Sequence, residues 1–227
     1  MNEPEAVAQR YAQRAVDDRY SALRPEVWQT LQERQRTMLR LFQRFGINDV
    51  SRLQLTEVGC GTGGNLLELL RLGFVPERLI GIELLPERHA LARHVLPVAT
   101  RVWLGEATQA PVAAQSQDIV LQATVFSSLL DDHFQAQLAN KMWHWLRPGG
   151  AVLWYDFTIN NPSNADVRGV PLKRVRDLFP HARIRSHRIT LAPPLARAVC
   201  RVHPSLYSLF NLLPLLRTHL LAWIQKP

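Results

Sequence analysis

Four glycines, an acid and an amide crowd into nine consecutive residues of this 227-residue chain: Glu57-Val58-Gly59-Cys60-Gly61-Thr62-Gly63-Gly64-Asn65. Glycine takes positive φ without strain and lets a ligand approach the main chain closely. An apolar run, Leu53 to Val58, leads into the stretch, and a leucine-rich run, Leu66 to Leu72, leads out of it. Strand, glycine turn and helix in that order wrap a backbone around a small charged ligand. The helix start offers unpaired N–H groups to an anionic group such as a carboxylate. Glu57, Gly59, Cys60, Gly61, Gly63 and Asn65 are therefore the first candidates for holding a ligand.

Spacing narrows the ligand. A dinucleotide-binding turn reads G-x-G-x-x-G. Here the glycines fall at 59, 61, 63 and 64, with an acid two residues before the first. That E-x-G-x-G-x-G string resembles, at every position, motif I of the class I methyltransferases that use S-adenosylmethionine. The resemblance runs over about residues 50–160. It implies S-adenosylmethionine as cofactor and a doubly wound α/β fold. The expected sheet has seven strands, mostly parallel, with strand seven antiparallel.

Further stations carry the same resemblance. A run from Arg78 to Ile82 ends in Glu83, and Pro86 then opens a helix through Val95. A carboxylate at such a strand tip has two acceptor oxygens for the two hydroxyls of a ribose. The resemblance gives that role to Glu83 and one face of the adenine to Leu84. It places Glu106 and Ala107, after a third strand Thr100 to Leu104, against the adenine amino group and ring edge. Gln122, Ala123 and Phe126, at the tip of a fourth strand that starts at Asp118, are placed near the sulfonium and the acceptor. A helical arm over residues 1–50 is expected to cap the pocket, with Tyr11, Arg14, Arg19 and Tyr20 as its candidate contacts.

Methyl transfer from a sulfonium is an in-line displacement, and positioning supplies much of its rate. A hydroxyl acceptor also needs a base. Strand order brings Asp156, Tyr155, His133 and His144 nearest the expected reaction edge. Asp156 ranks first, because strand tips face the crevice of open α/β sheets. His133 follows, at the start of the helix after strand four, and Tyr155 beside it. His144 reads as structural, mid-helix among Met142, Trp143 and Trp145, which read as core. A magnesium site of the catechol type needs acids at the tips of strands four and five. Strand four ends in Ala123-Thr124, and Phe157 follows Asp156 where that site has Asn, so no metal is expected. Base-amino methylation shows Asn/Asp-Pro-Pro-aromatic after strand four, unlike Thr124-Val125-Phe126. Cytosine C5 chemistry needs a Pro-Cys nucleophile, which the chain lacks.

The remaining elements follow from pattern. Ala6 to Val16 carries helix formers, and Pro25 opens a second helix that Gly46 ends. Residues 108–117 read as loop, short for a crossover. Asp131-Asp132 starts a helix to Leu146, and Arg147-Pro148-Gly149-Gly150 turns the chain into a fifth strand, Ala151 to Tyr155. Asn160 to Asn164 is loop by composition. Leu172 to Phe179 is a helix, and Ala182 to Thr190 a strand with one wet face. His219 to Ile224 closes the sheet as strand seven. Residues 193–216 then form a helical insertion between strands six and seven, a lid over the acceptor. The division is thus 1–50 as arm and 51–227 as the Rossmann-like domain. An interfacial membrane helix over 206–224 competes, but only Arg217 and Lys226 are there to serve it.

Composition sets the outer limits. Hydrophobic residues make up 47% and charged residues 20%, a globular mix, and no apolar run is long enough to span a bilayer. Two cysteines, Cys60 and Cys200, give neither a disulfide framework nor a zinc site, which fits the cytoplasm. The net charge of +8 suits either a solvated basic surface or an anionic partner. Leu153 to Phe157, Asp166 to Gly169 and Leu191 to Ala196 resemble stretches of bacterial methyltransferases of surface-glycan and natural-product assembly. The expected reaction is therefore O-methylation of a small molecule or glycan. An RNA or protein methyltransferase using the basic residues 168–188 is one alternative. A non-catalytic S-adenosylmethionine-binding protein is the other.

Overall fold

The computed structural model describes residues 2–13, 21–160 and 164–227. Two helices precede the first strand: α1 (Glu3–Ala12) and α2 (Pro25–Arg44). α1 starts three residues earlier than helix propensity suggests, because Asn2 and Glu5 close a capping box over its first turn. α2 begins on Pro25, whose missing N–H costs nothing at a first turn. It ends before Gly46, which takes φ +70°.

The sheet then forms from β1 (Leu55–Val58), β2 (Leu79–Glu83), β3 (Arg101–Leu104), β4 (Gln117–Ala123), β5 (Leu146–Phe157), β6 (Arg183–Leu191) and β7 (Arg217–Gln225). Their order is β3-β2-β1-β4-β5-β7-β6. β7 pairs antiparallel with both β5 and β6, and the other pairings are parallel. This is the doubly wound seven-stranded sheet that the sequence predicts. The order reverses between β1 and β4, which makes their C-terminal ends the switch point where such sheets bind ligands.

Helices α3 (Gly64–Arg71), α4 (Pro86–Val95), α5 (Asp132–Trp145) and α6 (Leu172–Leu178) complete the layers. Leu41 and Phe42 of α2, Leu66 and Leu69 of α3, and Ala92 of α4 pack with Leu55, Ile119 and Leu153 on one face. Val7 of α1, Leu138, Met142 and Trp145 of α5, and Val175 of α6 pack with Val120, Val152 and Trp154 on the other. Trp145 and Trp154 are fully buried, and each contributes several kcal/mol of burial, about 25 cal/mol per Å² of apolar surface.

Arg147 to Gly150 does not turn the chain ahead of β5. β5 already pairs at Leu146 with Gln117, and the register then slips before Ala151 meets Ile119. Pro148 has no N–H to give a ladder, so the strand bulges there, and Arg147 ion-pairs with Asp118. At its other end β5 continues past Tyr155, pairing Asp156 with Leu220 and Phe157 with His219. Asp156 and Phe157 are thus the last two residues of the strand. The crossover from β3 to β4 holds only a 3-10 turn at 107–109. Of the expected loop Asn160 to Asn164, residues 161–163 lie outside the described residues.

Between β6 and β7 the chain inserts α7 (Pro193–Val202), α8 (Ser205–Phe210) and a 3-10 turn at 214–216. Glu33 of α2 ties this insertion down. Its carboxylate accepts the Thr190 N–H at 3.0 Å, the Tyr207 hydroxyl at 2.8 Å and the Asn211 amide at 2.6 Å. Losing a charged acceptor strands three donors. Glu33→Ala is therefore expected to lower stability by about 2–4 kcal/mol in urea denaturation. A loss under about 0.5 kcal/mol, the size of a neutral surface change, counts against this anchoring role.

Candidate functional site

The C-terminal ends of β1, β2 and β4 meet in register, Val58 beside both Ile82 and Gln122. The chain leaves β1 through Gly59 (φ +65°), Gly61 (+58°) and Gly63 (+88°), three left-handed residues in five. Alternating hand bends the loop so tightly that the Gly63 N–H reaches the Cys60 carbonyl at 2.9 Å. Gly59 also has no room for a side chain. A Cβ there would lie 2.6 Å from Val125 Cγ2.

Glu83 at the end of β2 fixes this loop. One carboxylate oxygen accepts the Gly61 N–H at 2.8 Å, the other the Leu85 N–H at 2.8 Å. Carboxylate oxygens have further lone pairs, so these two bonds leave acceptor capacity for a ligand's hydroxyls. Glu57 lies within β1 and is wholly buried. Its Oε1 accepts the Asn65 amide at 2.6 Å, and its Oε2 has no partner among the described residues. Burial pushes its pKa up to about 8, against the opposing Asn65 hydrogen bond and Arg34 charge. A donor arriving at Oε2, above all a cationic one, would relieve that cost.

The remaining cofactor candidates fall into three groups. Tyr11, Leu84 and Ala107 pack on one apolar cluster beside Ile82 and Phe126. Tyr11 also reaches Ser128 Oγ at 3.2 Å, and Arg88 of α4 lies 4.5 Å over its ring. α1 therefore bridges the β4 end and α4 across the glycine loop. Glu106 is half-buried and accepts the Thr108 hydroxyl. Ala123 is half-buried where β4 ends. Gln122 and Phe126 are different: both are fully buried. The Gln122 amide spends itself on the Val125 N–H and the Tyr155 carbonyl, and Phe126 stacks into the core 4.5 Å from Trp154. Cys60 likewise buries its thiol under Gly81, so only its backbone is offered to the loop. Tyr20, Arg14 and Arg19 lie outside the described residues.

The three catalytic candidates are not brought to one open face. Asp156 is fully buried, with Oδ2 accepting the Ser127 N–H at 3.1 Å and Oδ1 the Phe157 N–H at 3.0 Å. Its geometry is that of a residue fixing the 3-10 turn 126–128. Tyr155 is buried and hydrogen-bonds Thr190 Oγ1 at 2.9 Å; burial pushes its pKa up to about 12, so it keeps its proton. His133 is exposed on the first turn of α5 beside Gln137.

Two residues join this edge that pattern alone did not single out. Arg34 of α2 donates to Asn65 Oδ1 at 2.6 Å and Glu68 Oε2 at 3.2 Å, and lies 5.3 Å over the Tyr155 ring. His219 of β7 stacks on Tyr155 at 5.0 Å and bonds Thr218 Oγ1 through Nδ1 at 2.9 Å. Burial, helped by the Arg34 charge, lowers its pKa to about 4 and keeps it neutral. A signal existed for Arg34, since it falls on the helix face that packs the sheet. None existed for His219, because its neighbours come from β5 and β6.

Comparison with known proteins agrees with this geometry. Residues 56–150 match the model of a family described as "Methyltransferase domain". No curated protein matches the sequence. Among solved structures, a SAM-dependent methyltransferase from Archaeoglobus fulgidus superposes with a TM-score of 0.62 at 13% identity, covering 85% of this chain and 94% of that one. The chain has the Rossmann-like methyltransferase fold. A phosphoethanolamine N-methyltransferase 2 from Haemonchus contortus, in complex with S-adenosyl-L-methionine, gives 0.59 at 14% identity over 85% of this chain and 53% of that one. The [4+2]-cyclase SpnF gives 0.58 at 13% identity over 83% and 81%. The fold therefore also carries chemistry other than methyl transfer.

The buried acid of β5 makes a measurable signature within this methyltransferase fold. Burial raises the Asp156 pKa to about 7, above its ordinary 3.8. A raised folded-state pKa adds stability that is complete below about 4 and lost as pH rises through about 7. Asp156→Asn removes that proton uptake along with one backbone acceptor. The stability gap between wild type and Asp156→Asn, read by urea denaturation, should narrow as pH rises from 4 to 7. A gap that stays constant across that range would show that Asp156 does not titrate in it.

Proposed function

We propose that the chain is an S-adenosylmethionine-dependent methyltransferase and that its acceptor is an oxygen of a small molecule or glycan. The observation that carries the first part is the glycine loop clamped by Glu83, beside a Glu57 Oε2 that has no partner among the described residues. The residues fit that cofactor. Glu57 Oε2 lacks the donor that an amino-acid ammonium supplies, and Glu83 has lone pairs left for ribose hydroxyls. The apolar cluster at Tyr11, Leu84 and Ala107 suits a purine ring. Cys60, Gly61 and Asn65 line the loop, and Glu106 sits at the neighbouring strand end.

S-adenosylmethionine, when bound, supplies an electrophilic methyl group on a sulfonium. The chain's own residues then orient the acceptor and take its proton. Asp156 acts here as a positioning residue that sets the 126–128 turn. Tyr155 keeps its proton and holds Thr190 in place. His219, neutral and held by Thr218, is the group at this edge with a ring lone pair for a hydroxyl proton. O-methylation draws further support from the Leu153–Phe157 and Leu191–Ala196 stretches that resemble glycan and natural-product methyltransferases.

A second reading is cofactor binding without methyl transfer. It is favoured by how closed the β4 end is, with Gln122, Phe126 and Asp156 each fully buried. Calorimetry and turnover separate the two. Methyl transfer from labelled S-adenosylmethionine to a hydroxyl acceptor supports the first, and tight binding with no product from a broad acceptor panel supports the second.

The cradle itself is tested by Gly59→Ala and Glu83→Gln. Gly59→Ala adds a methyl at φ +65° against Val125, and Glu83→Gln weakens the Gly61 clamp. Each is expected to cut affinity for S-adenosylmethionine at least tenfold by titration calorimetry, about 1.4 kcal/mol. Binding of NAD or ATP in place of S-adenosylmethionine by the wild type would overturn the proposal.

A further inference from the structure

Past Asp177 the chain contains no acid: residues 178–227 carry Arg183, Arg185, Arg188, Arg197, Arg201, Arg217 and Lys226 without one Asp or Glu. The insertion between β6 and β7 lies in this acid-free stretch. Its outer end exposes Leu209, Leu212, Leu213 and Leu215, at 59%, 69%, 56% and 89% of their surface. Val202, at the end of α7, is 77% exposed. Four large apolar side chains within seven residues make one contiguous apolar tip, unlike the scattered exposure that soluble surfaces tolerate. The tip is held rigidly from behind. Tyr207 is buried, and Arg217 donates from Nε to the Asn211 carbonyl at 2.8 Å.

The insertion brings its own cations. α7 exposes Arg197 and Arg201, spaced by four on one helix face. Exposed Arg188 of β6 joins them at the insertion's base, where it donates to the Arg217 carbonyl at 2.8 Å. The acid of α2 that reaches the insertion is spent, since the Glu33 carboxylate accepts from Thr190, Tyr207 and Asn211.

We propose that this insertion docks the protein onto an anionic lipid surface. The four leucines enter the boundary between headgroups and acyl chains, and Arg197, Arg201 and Arg188 rest on lipid phosphates. Charge complementarity selects this occupant. An apolar tip on an insertion that carries arginines and no acid matches the layered chemistry of an anionic bilayer face, apolar below and phosphate above. A polyanion such as RNA would engage the arginines but gain nothing from the leucines. The insertion grows from the C-terminal end of β6 and the start of β7, so docking turns the edge bearing Tyr155 and His219 toward the lipid.

Vesicle sedimentation of the full chain, without cofactor, tests this independently of the methyltransferase reading. Vesicles of phosphatidylcholine with about a third phosphatidylglycerol should bind the wild type, and pure phosphatidylcholine at least tenfold more weakly. The double variant Leu212→Ser, Leu215→Ser should lose at least tenfold on the mixed vesicles, as should Arg197→Glu, Arg201→Glu. Both pairs are exposed, and an unchanged thermal midpoint will show that each variant folds. Failure of the wild type to bind anionic vesicles would overturn the proposal. So would binding that ignores the leucines while RNA competes for the arginines, or a leucine variant that only converts a dimer to a monomer in light scattering.

Discussion

Buried and half-buried carboxylates that accept backbone N–H groups hold this molecule's functional edge in shape. Glu83 holds Gly61 and Leu85, and Asp156 holds Ser127 and Phe157. Glu33 holds Thr190, and Glu3 of α1 holds Leu130 at 2.7 Å. Gly61, Leu85, Ser127 and Leu130 lie in turns and loops, which have no ladder to satisfy their amides. A charged acceptor makes a stronger bond than a neutral one, and two oxygens let one side chain fix two amides at once. The result is an edge whose loops are set by side chains reaching across from neighbouring elements.

Desolvation raises the pKa of two buried acids against the hydrogen bonds they accept. Glu57 and Asp156 are both enclosed and both desolvated. Perturbed titration is a common mark of active sites, yet structural networks perturb titration as well. Geometry separates the two cases here. Asp156 has each oxygen committed to an amide, whereas Glu57 has one oxygen with no partner among the described residues. The same burial thus marks a brace in one strand and an unfinished contact in another.

The fold was largely legible in the sequence because each of its signals is local. Glycine spacing, Pro25, Pro86 and the apolar runs of β1, β4 and β5 each announce an element without knowing its neighbours. The strand ends were less legible. β5 reads as Ala151 to Tyr155 with Asp156 and Phe157 at its tip, and pairing with Leu220 and His219, some sixty residues on, is what carries the ladder over those two. Arg147 to Gly150 reads as a turn for the same reason, since only the partner strand reveals that it is a bulge. Gln122 and Phe126 follow the pattern of lining residues, but tertiary packing draws both inward. The cations beside the insertion were invisible along residues 206–224 because β6 and α7 supply them.

α2 is where the separate parts of the site become one. Glu33 and Arg34 are adjacent, and successive side chains on a helix point about 100° apart. Glu33 therefore grips the insertion through Tyr207 and Asn211, while Arg34 grips the cofactor side through Asn65 and Glu68. Asn65 passes the contact on to Glu57, and the Arg34 guanidinium lies over Tyr155, whose hydroxyl meets Thr190. Thr190 closes the circuit by donating its N–H to Glu33. It sits there at φ +66°, a left-handed conformation that a β-branched residue adopts only when its surroundings hold it. A displacement of the insertion must therefore strain the Thr190 bond or move Glu33, and Arg34 lies one residue away on the same rigid helix. The glycine loop and the acceptor edge are built from different strands, but a single helical turn sets the distance between them.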